Sequence, residues 1–319
     1  MSAPPLPAAV TLGTRASALA SAQTALVVEL LTAAQPVLEC ETMVIATAGD
    51  RTQASGEPLP EIGGKGLFTA ELERALAEGD IDLAVHSLKD LPTEDAPGVV
   101  IGAVCAREDV RDCVVSRDRR PLDELPEGAV VGTSSLRRVA QVRRRRPGLE
   151  VRSIRGNVDT RIRKVHDGEF DAVILAAAGV RRLGLDDEVA EWLPVGTMLP
   201  APGQGALAIQ CRAADPVLVL LAAIDDPAAR ATTTAERVFL RELGAGCTAP
   251  VAAHAELTSP SDTVSQGVPY VRLRGVVASL DGAEVVDVSG EGEPDDVGQR
   301  VADLALESGA GRILAAIRG

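Results

Sequence analysis

Aromatic side chains are scarce in this sequence of 319 residues, which contains three Phe, one Trp and one Tyr. The hydrophobic core must therefore be built mainly from Ala, Val, Leu and Ile, and the 46% hydrophobic content is sufficient for that. Modules that bind single-stranded nucleic acid stack bases on aromatic side chains, so this scarcity argues against them. A net charge of −14 also disfavours a protein that follows phosphate backbones.

Membrane and export signals are also missing. No run of 18 apolar residues is free of charge and proline, so we expect no membrane span. Residues 1–9 lack a basic segment followed by an apolar stretch, so we expect no signal peptide. The cysteines are odd in number and widely spaced, which fits neither a disulfide framework nor a Cys-x-x-Cys metal site: Cys40, Cys105, Cys113, Cys211 and Cys247. These absences predict a reduced, cytoplasmic protein with two or three domains and no metal.

Positive charge is concentrated in one segment. Residues 137–182 hold thirteen Lys and Arg against five Asp and Glu. A basic segment within an acidic chain indicates attraction of a small polyanion. For the run Arg143 to Arg146 we favour a solvent-facing helix surface. Five other arginines lie beside glycines or turn residues, from which they could reach a ligand: Arg137, Arg138, Arg155, Arg161 and Arg182.

Short apolar strands alternate with helices through most of the chain, which predicts α/β sheets covered by helices on both faces. Leu12-Gly13-Thr14 resembles Val131-Gly132-Thr133, and residues 79–85 resemble residues 168–174, so we expect two similar α/β domains. From Thr232 onward the pattern predicts a helix, a hairpin around Asp281-Gly282 and one final helix over 297–317. That order is typical of a small α+β domain.

Two polar or Pro- and Gly-rich segments, 108–127 and 193–205, are predicted to be the connections between the first two domains. We therefore predict one α/β domain over 1–105 with 202–222, a second over 106–201, and the α+β domain over 228–319.

The segment Gly132 to Arg138 places a glycine turn and hydroxyl residues at a predicted helix start, where unpaired N–H groups can bind an anion. Two arginines in the first turn oppose the helix dipole, so a bound anion would explain them. The alternative is capping by Ser134 or Ser135 with solvated arginines. Gly13 to Ser17 has the same arrangement of a glycine, hydroxyl residues and a helix start, but with one arginine.

His86 to Pro92 ends an apolar strand, where open α/β sheets place ligands. Asp90 could donate a proton or stabilise a developing cation, or it could form an Asx turn before Pro92. Cys247 follows Gly246, which leaves room for a bulky substituent, so it is a candidate attachment point or else an inert small side chain. Gly63 to Gly66 lacks the spacing of a phosphate loop and is interpreted as a mobile lid.

Together these motifs resemble the porphobilinogen deaminase (hydroxymethylbilane synthase) family over nearly the whole chain. The residues that carry the resemblance are Gly13-Thr-Arg-Ala-Ser17, Gly64-Lys-Gly-Leu-Phe68, Ala84-Val-His-Ser-Leu-Lys-Asp-Leu-Pro92, Gly132-Thr-Ser-Ser-Leu-Arg-Arg138, Arg155-Gly-Asn157 with Thr160-Arg161, Arg182-Leu-Gly184, Pro202-Gly-Gln-Gly-Ala206 and Gly246-Cys247.

The resemblance implies two doubly wound, periplasmic-binding-protein-like α/β domains and a small α+β C-terminal domain. It also implies a dipyrromethane cofactor held through a thioether at Cys247. The enzyme would condense four porphobilinogen molecules head to tail onto this primer with loss of ammonia. It would then release the linear tetrapyrrole by hydrolysis, as a transferase of porphyrin and heme biosynthesis that acts as a monomer.

The same resemblance assigns residues. Asp90 would be catalytic. The cofactor contacts would be Cys247, Lys89, Asp90, Ser135, Arg137, Arg138, Arg155 and Gly156. The substrate contacts would be Arg15, Ser17, Lys65, Phe68, Arg155, Arg161 and Arg182.

Two other classes fit part of the sequence. A binding protein of the Venus-flytrap kind would share the two α/β domains but would need no cysteine-bearing third domain. A nucleic-acid-binding regulator could rest on Arg143 to Arg146, although the acidic remainder of the chain opposes it. We expect the partner to be the small substrate alone, with neither nucleic acid nor membrane.

Overall fold

The computed structural model describes residues 7–47, 69–246, 249–258 and 269–318. The strands are, in chain order, β1 (Ala9–Thr14), β2 (Glu39–Val44), β3 (Leu83–Ser87), β4 (Val99–Val104), β5 (Asp112–Ser116), β6 (Val130–Gly132), β7 (Glu150–Arg152), β8 (Ala172–Ala176), β9 (Glu191–Leu193), β10 (Leu207–Arg212), β11 (Val251–Leu257), β12 (Val271–Ala278) and β13 (Val285–Gly292). The helices are α1 (Ala18–Ala34), α2 (Ala70–Glu78), α3 (Leu136–Arg145), α4 (Val158–His166), α5 (Ala177–Arg182), α6 (Val217–Leu221), α7 (Pro227–Glu242), α8 (Pro294–Glu307) and α9 (Ala310–Arg318).

These elements belong to two compact units. Unit 1 comprises Met1–Arg107 and Ala206–Arg230, and unit 2 comprises Glu108–Gly205 and Ala231–Gly319. Unit 2 therefore contains both the second α/β sheet and the C-terminal α+β elements. The three-domain boundaries expected from the sequence remain a prediction.

Unit 1 is built on a sheet with the strand order β2-β1-β3-β10-β4. Strand β1 is parallel to β2 and β3, whereas β10 is antiparallel to β3 and β4. Side chains of β3 alternate between the two faces, as the pleat requires. Leu83 and Val85 pack with residues of α1 and α6, and Ala84 packs with residues of α2. Helices thus cover both faces of the sheet, as the apolar strand pattern predicts.

The first sheet of unit 2 repeats this plan with the order β7-β6-β8-β5-β9, in which β5 is antiparallel to its neighbours. One hydrogen bond occurs in both sheets. The Thr11 amide donates to Asp82 Oδ2 at 3.0 Å, and the Val130 amide donates to Asp171 Oδ2 at 2.8 Å. Both aspartates lie just before the third parallel strand. The internal similarity seen in the sequence therefore marks two α/β sheets with the same spatial order of strands.

The C-terminal α+β part of unit 2 is the antiparallel sheet β11-β12-β13, which packs with α7, α8 and α9 around one apolar core. Its hairpin turns at Asp281-Gly282, as predicted. One carboxylate inside α7, that of Glu236, is fully buried. Its two oxygens accept hydrogen bonds from the amides of Gly203 at 2.7 Å and Ala255 at 2.8 Å.

Two expectations from the sequence are wrong. The segment 108–127, predicted as a connection, contains β5, all five residues of which are buried. Charged neighbours on both sides hid this short apolar strand. The final helix over 297–317 is two helices, α8 and α9, because the chain passes through Gly309 at φ 101°, a conformation that a helix interior cannot contain.

Among the described residues, no helix is both long enough and apolar enough to cross a bilayer.

Candidate carboxylate-binding site

The predicted site residues of unit 1 lie at one edge of its sheet. Strands β1 and β3 are parallel neighbours, with Gly13 paired to Ala84, so the turns that follow them emerge side by side. Arg15 and Ser17 follow β1, and the single turn of 3₁₀ helix Leu88–Asp90 follows β3. This is the edge at which open α/β sheets bind ligands.

The side chains at this edge differ in how firmly they are held. Ser17 caps α1, because its Oγ accepts the Ala20 amide at 3.2 Å, while its own hydroxyl hydrogen remains a possible donor. Gln23 of α1 donates from Nε2 to Ser87 Oγ at 2.8 Å and so ties the helix to the end of β3. Asp90 is exposed rather than partly buried, and among the described residues its carboxylate makes no hydrogen bond or ion pair. The Asx-turn alternative is therefore wrong.

His86, inside β3, is the one histidine of this edge. It is 5% exposed. Burial first, and then the charge of Arg15, lower its pKa to about 4, although the neighbouring Gln210 side chain opposes the shift. His86 is thus a neutral imidazole at physiological pH and brings no positive charge to the edge.

In unit 2 three adjacent parallel strands end together, since β6 lies between β7 and β8. The segments that follow them are Gly132–Arg138, Ser153–Arg161 and α5. These segments contain the residues that the resemblance assigns: Ser135, Arg137, Arg138, Arg155, Gly156, Arg161 and Arg182. The fold therefore gathers the predicted cationic residues of this unit at the carboxyl edge of one sheet.

Arg137 and Arg138 are buried, not solvated, and they share one aspartate. Arg137 Nη1 donates to Asp112 Oδ2 at 2.7 Å and to the Leu199 carbonyl at 2.7 Å. Arg138 Nη2 donates to Asp112 Oδ1 at 2.7 Å, and its Nη1 donates to the Ile174 carbonyl at 2.9 Å. The side chains of Asp112, Arg137 and Arg138 are 0%, 4% and 7% exposed. The alternative of capping serines with solvated arginines is therefore wrong.

The charges of this cluster do not cancel. Burial alone would raise the pKa of Asp112, but the charges of Arg137 and Arg138 hold it well below its usual range, so the carboxylate stays ionised. Guanidinium groups remain protonated in proteins. Among the described residues no second acidic side chain pairs with either arginine, so the cluster carries one net positive charge. The Nε atoms of both arginines are also buried without a hydrogen-bond partner. Such a cluster is poised for one more anion.

Neighbouring loops are joined to the same edge. Ser134 Oγ donates to the Ile154 carbonyl at 2.6 Å, which links the loop after β6 to the loop after β7. Ser135 occupies the N-cap position of α3, yet its side chain makes no capping bond. Arg161 Nε donates to the Gly156 carbonyl at 2.7 Å. Arg182 Nη2 donates to the Gly205 carbonyl at 2.7 Å.

The arginine run at the end of α3 is only in part the solvated surface expected. Arg144 and Arg145 are exposed, but three of the four arginines also tie segments of unit 2 together. Arg143 Nη1 donates to the Leu280 carbonyl at 3.0 Å. Arg145 Nε donates to Asp123 Oδ1 at 2.7 Å, and Arg146 Nη2 donates to the Leu125 carbonyl at 2.7 Å.

Two residues of this edge were missed from the sequence, namely Asp112 and Gln204. Gln204 is fully buried and donates from Nε2 to Asp112 Oδ1 at 2.9 Å. A signal existed for each. Asp112 directly precedes the apolar Cys113-Val114-Val115, which marks a strand start, and Gln204 lies within a Pro-Gly-Gln-Gly segment that carried the resemblance without a role.

Three predicted residues, Lys65, Phe68 and Cys247, lie outside the described residues. Their roles as lid contacts and as the cofactor attachment point remain predictions.

Fold and site together define a class: a protein with two five-stranded α/β sheets, an added α+β part, and a buried arginine cluster with one uncompensated positive charge. Comparison with known proteins narrows this class. A family model described as "Porphobilinogen deaminase, dipyromethane cofactor binding domain" matches residues 10–219, and one described as "Porphobilinogen deaminase, C-terminal domain" matches residues 231–307. The chain therefore belongs to the porphobilinogen deaminase family. Its members are transferases with hydroxymethylbilane synthase activity and a dipyrromethane cofactor.

Similar curated proteins carry the same name. Porphobilinogen deaminase of Mycolicibacterium gilvum is 47% identical over 309 residues, 96% of this chain and 97% of that protein. The protein of Brevibacillus brevis is 45% identical over 307 residues, 96% of each. Among solved structures, the BvgS VFT2 domain of Bordetella pertussis matches with a TM-score of 0.41 at 16% identity, covering 68% of this chain and 86% of that chain. The BenM effector-binding domain with benzoate matches with a TM-score of 0.40 at 15% identity, covering 69% of this chain and 91% of that chain.

Proposed function

We propose that this enzyme condenses four porphobilinogen molecules head to tail onto a dipyrromethane primer that is attached to Cys247 through a thioether. Ammonia leaves at each addition, and hydrolysis then frees the linear tetrapyrrole. We further propose that it works as a cytoplasmic monomer, without nucleic-acid or membrane partners. The family supplies the activity and the cofactor, and the steps and residue roles are our proposal.

The observation that carries the proposal is the buried cluster of Arg137, Arg138 and Asp112, with its one uncompensated positive charge. A buried guanidinium pair favours a carboxylate, because planar N–H donors match carboxylate oxygens. Each pyrrole of this chemistry bears acetate and propionate groups, so both primer and product are polyanions. The Nε atoms of the two arginines, which are buried without a hydrogen-bond partner among the described residues, support a fit to such a ligand.

When bound, the dipyrromethane supplies the pyrrole carbon to which new units are joined. We assign its carboxylates to Arg137, Arg138 and Arg155, with Lys89, Ser135 and Gly156 as further contacts. The free hydroxyl of Ser135, which caps nothing in α3, supports its part.

Substrate carboxylates are assigned to a further set of donors. These are Arg15, Ser17, Lys65, Phe68, Arg155, Arg161 and Arg182, in which Phe68 would contact the ring rather than a carboxylate. The Gly156 and Gly205 carbonyls orient the guanidinium groups of Arg161 and Arg182, and this orientation supports their part in the proposal.

Asp90 is the proposed catalytic residue. Positive charge develops on the substrate ring as ammonia leaves, and a carboxylate held near it lowers that barrier. The same carboxylate can take a proton from a pyrrole nitrogen. Among the described residues no hydrogen bond or ion pair occupies Asp90, so it is available for both tasks.

The intact mass of the purified protein tests the proposal. We expect the wild-type chain and the matched control Cys40→Ser to carry a mass excess equal to two linked pyrroles, and Cys247→Ser to carry none. If no excess is present, porphobilinogen is added and the mass is measured again. A wild-type mass that still does not rise would refute the covalent primer, and an excess that persists in Cys247→Ser would place it on another residue.

A further inference from the structure

We propose that Asp112 and Gln204 are positioning residues, which hold Arg137 and Arg138 in place for one ligand carboxylate. The inference rests on the proposed function and deepens it, since it names the residues that orient the two arginines. Neither residue would touch the ligand.

The first argument is the complete use of Asp112. Its Oδ2 accepts from Arg137, and its Oδ1 accepts from both Arg138 and Gln204, at distances of 2.7, 2.7 and 2.9 Å. Three donors on two oxygens leave this fully buried carboxylate no freedom to rotate. It is therefore a fixed anion that holds two guanidinium groups in place.

Gln204 fixes the aspartate in turn. Its Nε2 also donates to the Val110 carbonyl at 2.7 Å and lies 3.2 Å from the Arg111 carbonyl. The amide thereby joins the Pro202-to-Gly205 loop to the chain just before β5, where Asp112 begins the strand. This gives the Pro-Gly-Gln-Gly segment a role that its sequence alone did not reveal.

Each arginine has a second anchor besides Asp112. Arg137 is held by the Leu199 carbonyl and Arg138 by the Ile174 carbonyl. Two anchors fix the plane of each guanidinium, so little side-chain entropy remains to be lost when a ligand binds. Among the described residues no hydrogen bond uses Arg137 Nη2, which remains a donor for that ligand.

A purely structural ion pair does not account for this arrangement. One arginine would neutralise Asp112, and the second adds a buried charge that costs stability unless an anion meets it. The excess cation is explained if Asp112 orients both side chains and a ligand carboxylate supplies the second negative charge.

The test is the isosteric Asp112→Asn variant, with Asp171→Asn as the matched control. Asp171 also forms an ion pair with an arginine, Arg117, at 3.0 Å. It lies just before β8, however, whereas Asp112 lies beside Ala176, the last residue of β8, in the sheet register. The two aspartates are therefore at opposite ends of the same strand. Cofactor loading of apo-protein with porphobilinogen is followed by intact mass per folded molecule. KM and kcat are then measured on the loaded fraction.

We expect Asp112→Asn to slow cofactor loading by about 10-fold or more, as loss of a partner that orients a ligand-binding side chain does elsewhere. The KM of the loaded fraction for porphobilinogen should change by less than about 2-fold, because Arg137 and Arg138 are assigned to the primer and not to the incoming substrate. Asp171→Asn should stay within about 2-fold. If both variants lose stability but load and turn over normally, Asp112 is only structural and the proposal is wrong. If Asp112→Asn does not fold, Gln204→Met decides, with the same expectation and the same refuting result. Failure of the wild-type chain to load would instead refute the proposed function itself.

Discussion

His86 offers a pH-dependent test of the packing of unit 1. Its imidazole is buried in β3, its Nε2 has no hydrogen-bond partner among the described residues, and its pKa is lowered to about 4 by burial and then by the charge of Arg15. The perturbation is simply a fall in pH. The folded chain must keep this ring neutral, whereas the unfolded chain protonates it near 6.5.

The sign and size follow from that difference. Above pH 6.5 the ring is neutral in both states, so the full stability of the fold is present. As the pH falls from 6.5 towards 4 the unfolded state gains a proton that the folded state refuses, and stability is lost. At about 1.4 kcal/mol for each pKa unit, the complete loss is about 3 kcal/mol.

Two measurements check this. The chain has only three histidines, so ring-proton NMR signals of His86, His166 and His254 are readily separated. The His86 signal should stay constant down to about pH 5. Urea unfolding from pH 7 to 4 should weaken the wild-type chain by about 3 kcal/mol more than His86→Gln, with the exposed His166→Gln behaving like wild type. A His86 signal that titrates near pH 6.5 would refute the reasoning.

Three further outcomes are expected. Asp90→Asn should lower kcat by about 100-fold or more while leaving the fold and the cofactor mass unchanged, with Asp303→Asn, an exposed carboxylate of α8, as control; equal steady-state rates would remove Asp90 from the mechanism. Glu236→Gln should lower the free energy of unfolding in urea by about 1–3 kcal/mol, because one of the two carboxylate oxygens that accept a buried backbone N–H is replaced by an N–H₂ donor. An unchanged midpoint would contradict the hydrogen bonds described. Cys113 is fully buried, and burial is the main cause that raises its pKa to about 12. It should resist maleimide at pH 8 in the native chain and react in guanidinium, as measured by peptide mass mapping. Native labelling as fast as that of Cys40 would be inconsistent with its burial.

The sequence was most informative where structure is locally determined. Short buried strands alternating with helices predicted the two sheets, including the strands that contain Gly13 and Gly132. Ligand binding at the carboxyl edge of these sheets remains a prediction. Strand β5 escaped because it is short and bordered by charges on both sides. The break between α8 and α9 at Gly309 was not predicted, because an isolated glycine is tolerated in many helices.

The role of Asp112 could not be predicted from any local pattern. Its partners Arg137, Arg138 and Gln204 are 25, 26 and 92 residues away in the chain. An aspartate in a polar segment looks solvent-exposed until the strand that carries it is placed in the middle of a sheet. Burial of a charge is a tertiary property, and only the fold shows which arginines compensate it.

The two ends of α3 show why position separates ligand-binding arginines from structural ones. At the C-terminal end, Arg143 and Arg146 meet backbone carbonyls and the negative end of the helix dipole, so they need no ligand. At the N-terminal end, Arg137 and Arg138 face the positive end of the dipole, and one buried aspartate offsets only one of them. No contact among the described residues compensates the charge that remains at this end, and the proposed ligand carboxylate would do so.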